Sequence, residues 1–376
     1  MIVTLLLMTL LAGALVYSGL AVVAAFRYLG VRTSALAHVE PVSILKPLAG
    51  LDLGLESNLR AFFEQDYPSF EILFAAREES DPGIAVARRL MGEYPHVPSK
   101  VVITGEPPYA NAKVYSLDKM MAAASHELLV MSDSDIRVTS SMLKTVAAEF
   151  QDSKLGVATC PYRAVAGASF WSRLEATGMN TDFWSGVLVA RMLEGMRFGV
   201  GPTIVARRSV IQGIGGFDRI KDYLAEDFVL GKFAVEAGHG VSLSSYVIEH
   251  HIGSTDFAHN AAHRLRWARS TRRSRSAGYV GQVFTMPFAI AVLIALWDPR
   301  LWFVLPITFA VRALAARVVS FWVLGAKLNW FLLPLEDLAV FGFWVAGFFG
   351  NTIVWRGRTY RLERDGRFTL IGQASR

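Results

Sequence analysis

The chain has 376 residues, 53% of them hydrophobic, and its mean hydropathy is +0.35. That length allows one large soluble domain together with membrane segments, and the positive hydropathy excludes an ordinary soluble enzyme. The net charge is only +6, and the single cysteine, Cys160, excludes an intramolecular disulfide and a multi-cysteine metal site. We therefore expect a membrane protein in which Cys160 is a small buried side chain.

The first 26 residues carry no charged side chain and are apolar enough to cross a bilayer, which takes about 20 residues. A cleaved signal peptide is the alternative, but it would have a basic start and an apolar core of roughly 7 to 15 residues. We predict an uncleaved N-terminal transmembrane anchor over residues 1–27. Arg27 and Arg32 follow the apolar run, so the positive-inside rule places the middle of the chain in the cytoplasm.

Residues from about 40 to 255 alternate short β-rich runs with amphipathic runs. The pattern predicts strands at 42–45, 70–76, 101–104 and 127–131. It predicts one helix at 53–65 and a second helix that follows the 70–76 strand and ends at about residue 94. Such alternation implies a parallel sheet covered on both faces, with ligands beyond the carboxyl ends of its strands. Asp81 and Asp133 both follow predicted strands, so we expect both at that edge of the sheet. Residues 168–195 predict one long helix, lying on the membrane surface or under the sheet.

Three apolar runs follow, at 279–297, 301–323 and 331–355, and residues 356–376 form a basic tail. The runs predict about three C-terminal membrane helices. Arginines in the tail prefer the cytoplasm, yet three crossings after a cytoplasmic domain put the tail outside. Two interpretations stay open, one with a re-entrant or interfacial run and one with the tail outside.

Carboxylates provide the candidate chemistry of the middle region. Asp133-Ser134-Asp135 places two carboxylates at the end of an apolar strand, a pattern that suits Mg²⁺ or Mn²⁺ shared with substrate phosphates. A solvated turn is the alternative. Glu226-Asp227 opens a predicted helix, where acidic residues are favoured electrostatically, and Asp227 could equally be a general base.

Asp81 precedes Pro82 and is predicted either to cap a helix or to bind the base or ribose of a nucleotide. His250 and His251 lack an apparent third metal ligand, and a structural role is favoured for both. Basic residues crowd the segment before the C-terminal apolar runs. They are Arg264, Arg266, Arg269, Arg272, Arg273 and Arg275. This cluster predicts contact with anionic lipid headgroups, with diphosphate binding as a second role for Arg266.

Five stretches together resemble the ceramide glucosyltransferase family of inverting lipid glycosyltransferases, including bacterial hopanoid-biosynthesis-associated members. They are Val42–Gly50 (VSILKPLAG), Phe62–Pro68 (FFEQDYP), Asp133–Val138 (DSDIRV), Ala225–Phe228 (AEDF) and Trp355–Leu362 (WRGRTYRL). They span nearly the whole chain and are specific jointly rather than singly. One departure is His263, which stands where the family's last motif has Gln or Arg before Arg266-Trp267.

The resemblance implies an α/β fold, with a Rossmann-like GT-A glycosyltransferase domain over residues 40–276 and C-terminal membrane helices over 279–355. It implies Asp227 as catalytic base and Asp133 and Asp135 as ligands of Mn²⁺ or Mg²⁺. Nucleotide-sugar contacts would come from Asp81, Lys113, Asp133, Arg266 and Trp267. Lys113 enters through Asn111-Ala112-Lys113, which is similar to the family's Asn-Pro-Lys.

The expected partners are a UDP-sugar donor, a membrane lipid acceptor and the bilayer, with no nucleic acid. We expect a multi-pass protein, with its catalytic domain on the cytoplasmic side of a bacterial inner membrane. The predicted reaction moves glucose or N-acetylglucosamine to the hydroxyl of a ceramide or hopanoid-type lipid. Two alternatives stay open. A processive polysaccharide synthase shares the motifs but needs a membrane channel, and a non-catalytic membrane protein could use the same fold.

Overall fold

The computed structural model describes residues 1–31 and 35–373, so Arg32, which entered the topology argument, lies outside the described residues. The chain divides into two units. The sheet unit comprises Arg32–Tyr162 and Met196–His251, and the helical unit comprises Met1–Val31, Arg163–Gly195 and Ile252–Arg376. Residues 163–195 and 252–276, which the sequence-based bounds group with the catalytic domain, thus belong to the helical unit.

The strands in chain order are β1 (Val42–Pro47), β2 (Phe70–Ala76), β3 (Ser99–Ile103), β4 (Leu128–Ser132), β5 (Ile136–Arg137), β6 (Leu155–Thr159), β7 (Tyr162–Ala166), β8 (Thr203–Arg207), β9 (Gly240–Leu243), β10 (Ile248–Ile252), β11 (Thr352–Trp355), β12 (Arg358–Leu362) and β13 (Phe368–Gln373). The helices are α1 (Ile2–Leu29), α2 (Leu55–Phe63), α3 (Pro82–Glu93), α4 (Ala112–Ala123), α5 (Met142–Glu149), α6 (Phe170–Gly178), α7 (Trp184–Glu194), α8 (Arg208–Gly213), α9 (Glu226–Glu236), α10 (Phe257–Ser274), α11 (Ser276–Gly281), α12 (Pro287–Trp297), α13 (Val304–Arg317) and α14 (Leu332–Gly347).

Seven strands of the sheet unit form one sheet in the order β3-β2-β1-β4-β8-β6-β9. The predicted strands at 42–45, 70–76, 101–104 and 127–131 are all present, within one or two residues at either end. Their side chains are buried almost throughout β1, β2 and β4, as expected for strands covered on both faces. Leu45, Leu73 and Leu129 pack with apolar residues of α4 and α9 to form the core.

The four predicted strands pair in parallel, as expected, but β8, which the sequence did not predict, runs antiparallel to both β4 and β6. Hydrophobic periodicity predicts that a segment is a strand, but strand direction is set by the pairing partners. Because β8 is reversed, the segment that enters it lies at the carboxyl ends of β4 and β6. Asp133 N–H donates to the carbonyl of Pro202 over 2.9 Å. The reversal therefore brings residues 199–202 to the edge where the parallel strands end.

In the helical unit, the long helix predicted at 168–195 is present as α6 and α7, joined by a π-helical turn over Met179–Phe183. Two helices are long and apolar enough to cross a membrane, Ile2–Leu29 and Val304–Val323, the latter being α13 with a π-helical extension. The count becomes three when the pair Ser276–Thr285 and Pro287–Trp297, bent by 65°, is taken as one span. These counts refer to the part of the chain that the structure describes.

The third predicted run, 331–355, is helical only over α14, whose 16 residues are fewer than the roughly 20 that a crossing takes. It also contains Glu336 and Asp337, which are almost completely buried among other helices. The end of the run is strand β11, which pairs antiparallel with β12, and β12 pairs with β13. Much of the predicted basic tail therefore forms a small antiparallel sheet.

Candidate active site

Lys113 joins the two acidic segments at the carboxyl edge of the sheet. It lies in the first turn of α4, whose N-cap residue Asn111 accepts a hydrogen bond from Val114 N–H. Its ammonium nitrogen is 2.7 Å from Asp133 Oδ1 and 2.8 Å from Glu226 Oε1. Burial alone lowers the pKa of Lys113, but the two carboxylates outweigh burial and raise it, so the ammonium stays charged. The structure thus brings Lys113, Asp133 and the Glu226-Asp227 pair together.

Asp227 lies in the first turn of α9, and backbone donors hold both of its oxygens. Phe228 N–H donates to Oδ1 over 2.8 Å, and Gly201 N–H donates to Oδ2. Burial raises the carboxyl pKa to about 6, with a further contribution from Glu226, while Lys113 and the two N–H groups limit the rise. Asp227, Glu226 and Lys113 line one pocket, together with Gly201 and apolar residues of α4 and α9. Above about pH 6 this carboxylate can accept a proton inside the pocket.

A close backbone approach makes this placement of Asp227 feasible. A Cβ added at Gly199 would lie 2.3 Å from the Asp227 carbonyl oxygen, and one at Gly231 would lie 2.2 Å from the backbone nitrogen of Gly199. Gly201 has φ +27°, a conformation that side chains disfavour. In the sequence, Gly199 and Gly201 belong to no nucleotide-binding glycine fingerprint and were not predicted as site residues. Their contribution depends on segments distant in sequence, so no local signal could reveal it.

Asp135 is the carboxylate with spare capacity for a cation. His250 Nε2 lies 3.1 Å from Oδ2, whereas Oδ1 is buried and has no hydrogen-bond partner among the described residues. Burial raises the pKa of Asp135, but His250 and Lys46 outweigh that effect and lower it to about 2, so it is ionised. No group of three or more His, Cys, Asp or Glu side chains suited to a metal occurs in residues 1–31 and 35–373. A divalent ion here would therefore take its other ligands from phosphate and water, as Mg²⁺ commonly does.

Lys46 is a site residue that sequence reasoning missed. It is completely buried in β1, and its Nζ donates to the Asp133 carbonyl over 2.5 Å and lies 3.9 Å from the centre of the Phe62 ring. Burial lowers its pKa to about 7, although Asp133 and Asp135 favour the charged form. The sequence did contain a signal, because Lys46 directly follows the apolar strand predicted at 42–45. A lysine in a buried strand almost always has a charged or polar partner, so a partner could have been expected.

Asp81 caps a helix, which is one of the two roles that the sequence predicted for it. As the N-cap of α3 it accepts from Gly83 N–H over 2.8 Å, and both of its oxygens accept from Gly50 N–H at 3.1 and 3.0 Å. It thereby ties the loop after β1 to the start of α3. Its predicted contact with the nucleoside stays a prediction.

Arg266 and Trp267 lie on α10 in the helical unit. The Arg266 guanidinium stacks over the Trp355 ring at 5.7 Å, and the Trp267 ring lies 5.6 Å from Phe183 and 5.1 Å from His263. His263 Nδ1 is hydrogen-bonded to the buried Glu175. Within this unit, His263, which stands where the family's motif has Gln or Arg, therefore anchors α10 to α6.

Three of the clustered arginines bind the end of α14 and the residues after it, two of them through backbone carbonyls. Arg269 donates to the carbonyls of Phe349 and Thr352, and Arg272 to those of Phe348 and Gly350. Arg273 donates to the side chain of Asn351. Cations at a helix C-terminus satisfy its unpaired carbonyls and its negative dipole end. Part of the predicted lipid-headgroup cluster is thus a helix cap.

Comparison with known proteins identifies the family. The model for glycosyl transferase family 21 matches residues 5–368. Ceramide glucosyltransferase 1 of Caenorhabditis elegans is 30% identical over 207 residues, which cover 54% of this chain and 44% of that protein. Ceramide glucosyltransferase 3 of the same organism is 25% identical over 233 residues, covering 61% of this chain and 50% of that protein. The chain thus spans about half the length of these curated relatives.

Among solved structures, the mannosyltransferase PcManGT from Pyrobaculum calidifontis, in complex with GDP-Man and Mn²⁺, superposes with a TM-score of 0.55 at 17% identity. The superposition covers 92% of this chain and 97% of that one. It confirms the predicted α/β GT-A-like fold, whose main sheet contains both parallel and antiparallel strand pairs. The predicted relationship to ceramide glucosyltransferases is confirmed as well, and the chain belongs to glycosyl transferase family 21.

Proposed function

We propose that this glycosyltransferase moves glucose or N-acetylglucosamine from a UDP-sugar to a lipid hydroxyl, with inversion at the anomeric carbon. The observation that carries the proposal is Asp227. It is a half-buried carboxylate with a pKa of about 6, held by two backbone N–H groups in a pocket with Lys113 and Glu226. A general base acts best when its pKa lies near the working pH.

In the proposed step, the Asp227 carboxylate takes the proton from the acceptor hydroxyl. The hydroxyl oxygen then bonds to the anomeric carbon as the bond from that carbon to the diphosphate oxygen breaks. Attack from the face opposite the leaving group inverts the anomeric centre. Help of this kind from a positioned base contributes roughly 10²–10⁴ in rate.

The reaction also requires that the negative charge on the departing diphosphate be stabilised. Lys113 brings a permanent cation to the carboxyl edge, and Asp133 with Asp135 would hold Mn²⁺ or Mg²⁺ there. The bound ion would neutralise charge that grows on the leaving phosphate oxygens. Arg266 and Trp267 are proposed, on the family resemblance, to contact the same diphosphate, and Asp81 to contact the nucleoside.

The acceptor is proposed from the relatives and from the apolar helices together. The curated relatives are named ceramide glucosyltransferases, and two or three helices in the described part of this chain are long and apolar enough for a membrane. A lipid hydroxyl near the bilayer surface, as in a ceramide or hopanoid-type lipid, suits both facts. We propose that the sheet unit works on the cytoplasmic side, where UDP-sugars would reach it.

The test compares Asp227→Asn with Asp218→Asn, the same substitution at a carboxylate that is 81% exposed in the same unit. Membranes containing each variant receive labelled UDP-glucose or UDP-N-acetylglucosamine, and mass spectrometry identifies the lipid product. We expect Asp227→Asn to lose transfer by about 10²-fold or more while still binding UDP with Mn²⁺. Asp218→Asn should match the wild type.

Full transfer by Asp227→Asn would remove Asp227 from the mechanism. A ladder of long products on a gel would instead favour a polysaccharide synthase over a lipid glycosyltransferase. Failure of the wild type to bind UDP in the presence of Mn²⁺ would contradict the nucleotide-sugar proposal itself.

A further inference from the structure

Two long apolar helices of the helical unit, α1 and the α13 span (Val304–Val323), lie side by side and run in the same direction. At the start of the α13 span, Val304 belongs to the same buried apolar cluster as Leu11 of α1. Near its end, the Trp322 ring meets the Phe26 ring edge-on, with 5.4 Å between the ring centres. Residue numbers thus rise along both helices together, so the two helices end at the same level.

The bent pair of α11 and α12 runs the other way, from the end of α1 toward its start. Just before α11, Arg275 pairs with Glu194 of α7 at 2.8 Å. Near that end of α7, the Arg191 guanidinium lies over the Tyr28 ring of α1 at 5.6 Å. Farther along the pair, Ile294 of α12 is buried in the apolar cluster near the start of α1. The bent pair therefore lies antiparallel to α1 and to the α13 span.

The α13 span exposes an apolar face that water does not suit. Ile307, Leu314 and Phe321 are exposed on it, and they share one face because they are about two helical turns apart. Trp302 before the span and Trp322 near its end are both more than half exposed. About 20 residues of helix cover about 30 Å, the thickness of the hydrocarbon core, and tryptophan is enriched at both membrane surfaces. A lipid bilayer fits this surface.

The two arginines of the α13 span are placed so that neither charge has to face lipid. Arg312 is 3% exposed and pairs with Asp182 and Asp337 inside the helical unit. The Arg317 guanidinium extends one turn toward the end of the span and lies 3.6 Å from the centre of the Phe321 ring. Charged groups within a bilayer are tolerated when they are paired inside the protein or reach toward the interface. Both arginines are thus compatible with a crossing helix.

Helix α14 and the tail sheet, formed by β11, β12 and β13, are bound to α10. Glu336 of α14 is 1% exposed and pairs with Arg264 of α10 at 2.7 Å. Backbone carbonyls around the end of α14 accept hydrogen bonds from Arg269 and Arg272 of α10. Helix α10 ends just before Arg275, where the bent pair begins beside the end of α1. The tail sheet therefore follows a helix that is held at this end of the helical unit.

We propose that α1, the bent pair of α11 and α12, and the α13 span each cross the bilayer, while α14 and the tail sheet stay on the side where α1 ends. The chain passes from α1 directly into the sheet unit, so the tail sheet and the sheet unit share that side. A crossing by α14 would need more than its 16 residues and would separate its end from the arginines of α10.

This arrangement removes the conflict that three C-terminal crossings create. Two crossings after the sheet unit return the chain to the side from which it started. The exposed tail arginines Arg356, Arg361 and Arg364 then lie on the same side as Arg27, as the positive-inside rule requires.

The experiment determines the side of single cysteines in the full-length chain, with Cys160→Ala as the background. Cysteine replaces an exposed residue at Ala35 after α1, at Arg300 between α12 and α13, at Lys327 after the α13 span, or at Arg364 in the tail sheet. Right-side-out and inside-out membrane vesicles from a bacterial expression host are treated with a membrane-impermeant maleimide. The total thiol of each variant is measured after the vesicles are dissolved in detergent.

We expect Ala35→Cys, Lys327→Cys and Arg364→Cys to react in the same vesicle orientation. Arg300→Cys should react only in the opposite orientation. Glu363→Cys is the matched control for the tail, because it places the thiol beside Arg364 and keeps every arginine. It should react in the same orientation as Arg364→Cys.

Reaction of the two tail cysteines in the orientation that labels Arg300→Cys would overturn the proposal. Reaction of all five variants in one orientation would overturn it as well, because the α13 span would then not cross the bilayer. If Ala35→Cys and the tail cysteines react together only in right-side-out vesicles, the proposed crossings stand. In that case the cytoplasmic placement of the sheet unit, which belongs to the proposed function, is wrong.

Discussion

Replacing Asp227 by Asn should destabilise the protein at acidic pH and stabilise it at pH 8. Folding raises the carboxyl pKa from 3.8 to about 6, chiefly through burial. The folded state therefore binds more protons than the unfolded state between those values. Stability from this group is full below about pH 4 and is lost as the pH rises through about 6. A rise of about 2 pH units at about 1.4 kcal/mol each makes the ionised group cost about 3 kcal/mol at pH 8.

Asparagine avoids that cost because it cannot ionise. It also forfeits one backbone hydrogen bond, since its NH₂ group faces a donor from either Gly201 or Phe228, a loss of about 1 kcal/mol. The net expectation is that Asp227→Asn is about 2 kcal/mol more stable than the wild type at pH 8 and about 1 kcal/mol less stable at pH 4.

Urea unfolding of both proteins at several pH values from 4 to 8 measures this difference. Asp218→Asn, at an exposed carboxylate, is the control and should show no such reversal. A stability difference between wild type and Asp227→Asn that stays constant with pH would refute the reasoning. It would mean that the Asp227 carboxyl ionises with its ordinary pKa, and the argument for a tuned base would fail.

Three further outcomes are expected. The kcat/KM of the wild type should fall about tenfold per pH unit below about pH 6, as Asp227 becomes protonated, in a pH–rate profile. Lys113→Met leaves Asp133 and Glu226 without their shared cation, so it should move that acid limb to higher pH and destabilise the protein by up to about 3 kcal/mol in urea. Gly199→Ala should cost roughly 1–3 kcal/mol and most of the activity, because its Cβ meets the Asp227 carbonyl at 2.3 Å. Gly213→Ala, where nothing lies within 4 Å, should leave both unchanged.

The site shows how one cation can serve two acidic segments. Lys113 contacts Asp133 beside the proposed metal position and Glu226 beside the proposed base. Its charge lowers the pKa of Asp227, which burial and Glu226 raise. The balance leaves a base that is ionised at neutral pH yet not far from its pKa. Lys113 is therefore expected to tune the base as well as to meet the diphosphate.

Local pattern alone determined several parts of the structure. Apolar runs predicted α1, α12 and α13, because a continuous apolar stretch has few alternatives to a buried or membrane helix. The buried strands β1, β2 and β4 were predicted because both of their faces are covered, which demands apolar residues throughout. The family followed from five short stretches read together. Each of these signals can be recognised in continuous stretches of sequence, without knowledge of which residues pack together.

The tertiary structure alone decided the direction of β8, the pairing of Lys113 with two carboxylates, and the groups that the clustered arginines contact. Strand direction depends on the strands with which β8 pairs, so the hydrophobic periodicity of the sequence does not indicate it. Lys113 meets Glu226 across 113 residues of sequence, and Arg272 reaches carbonyls that follow α14 from a helix about 75 residues earlier. Local sequence reports which side chains carry charge. Only the folded chain determines which opposite charges and unpaired backbone groups come within reach, because burial makes those pairings obligatory.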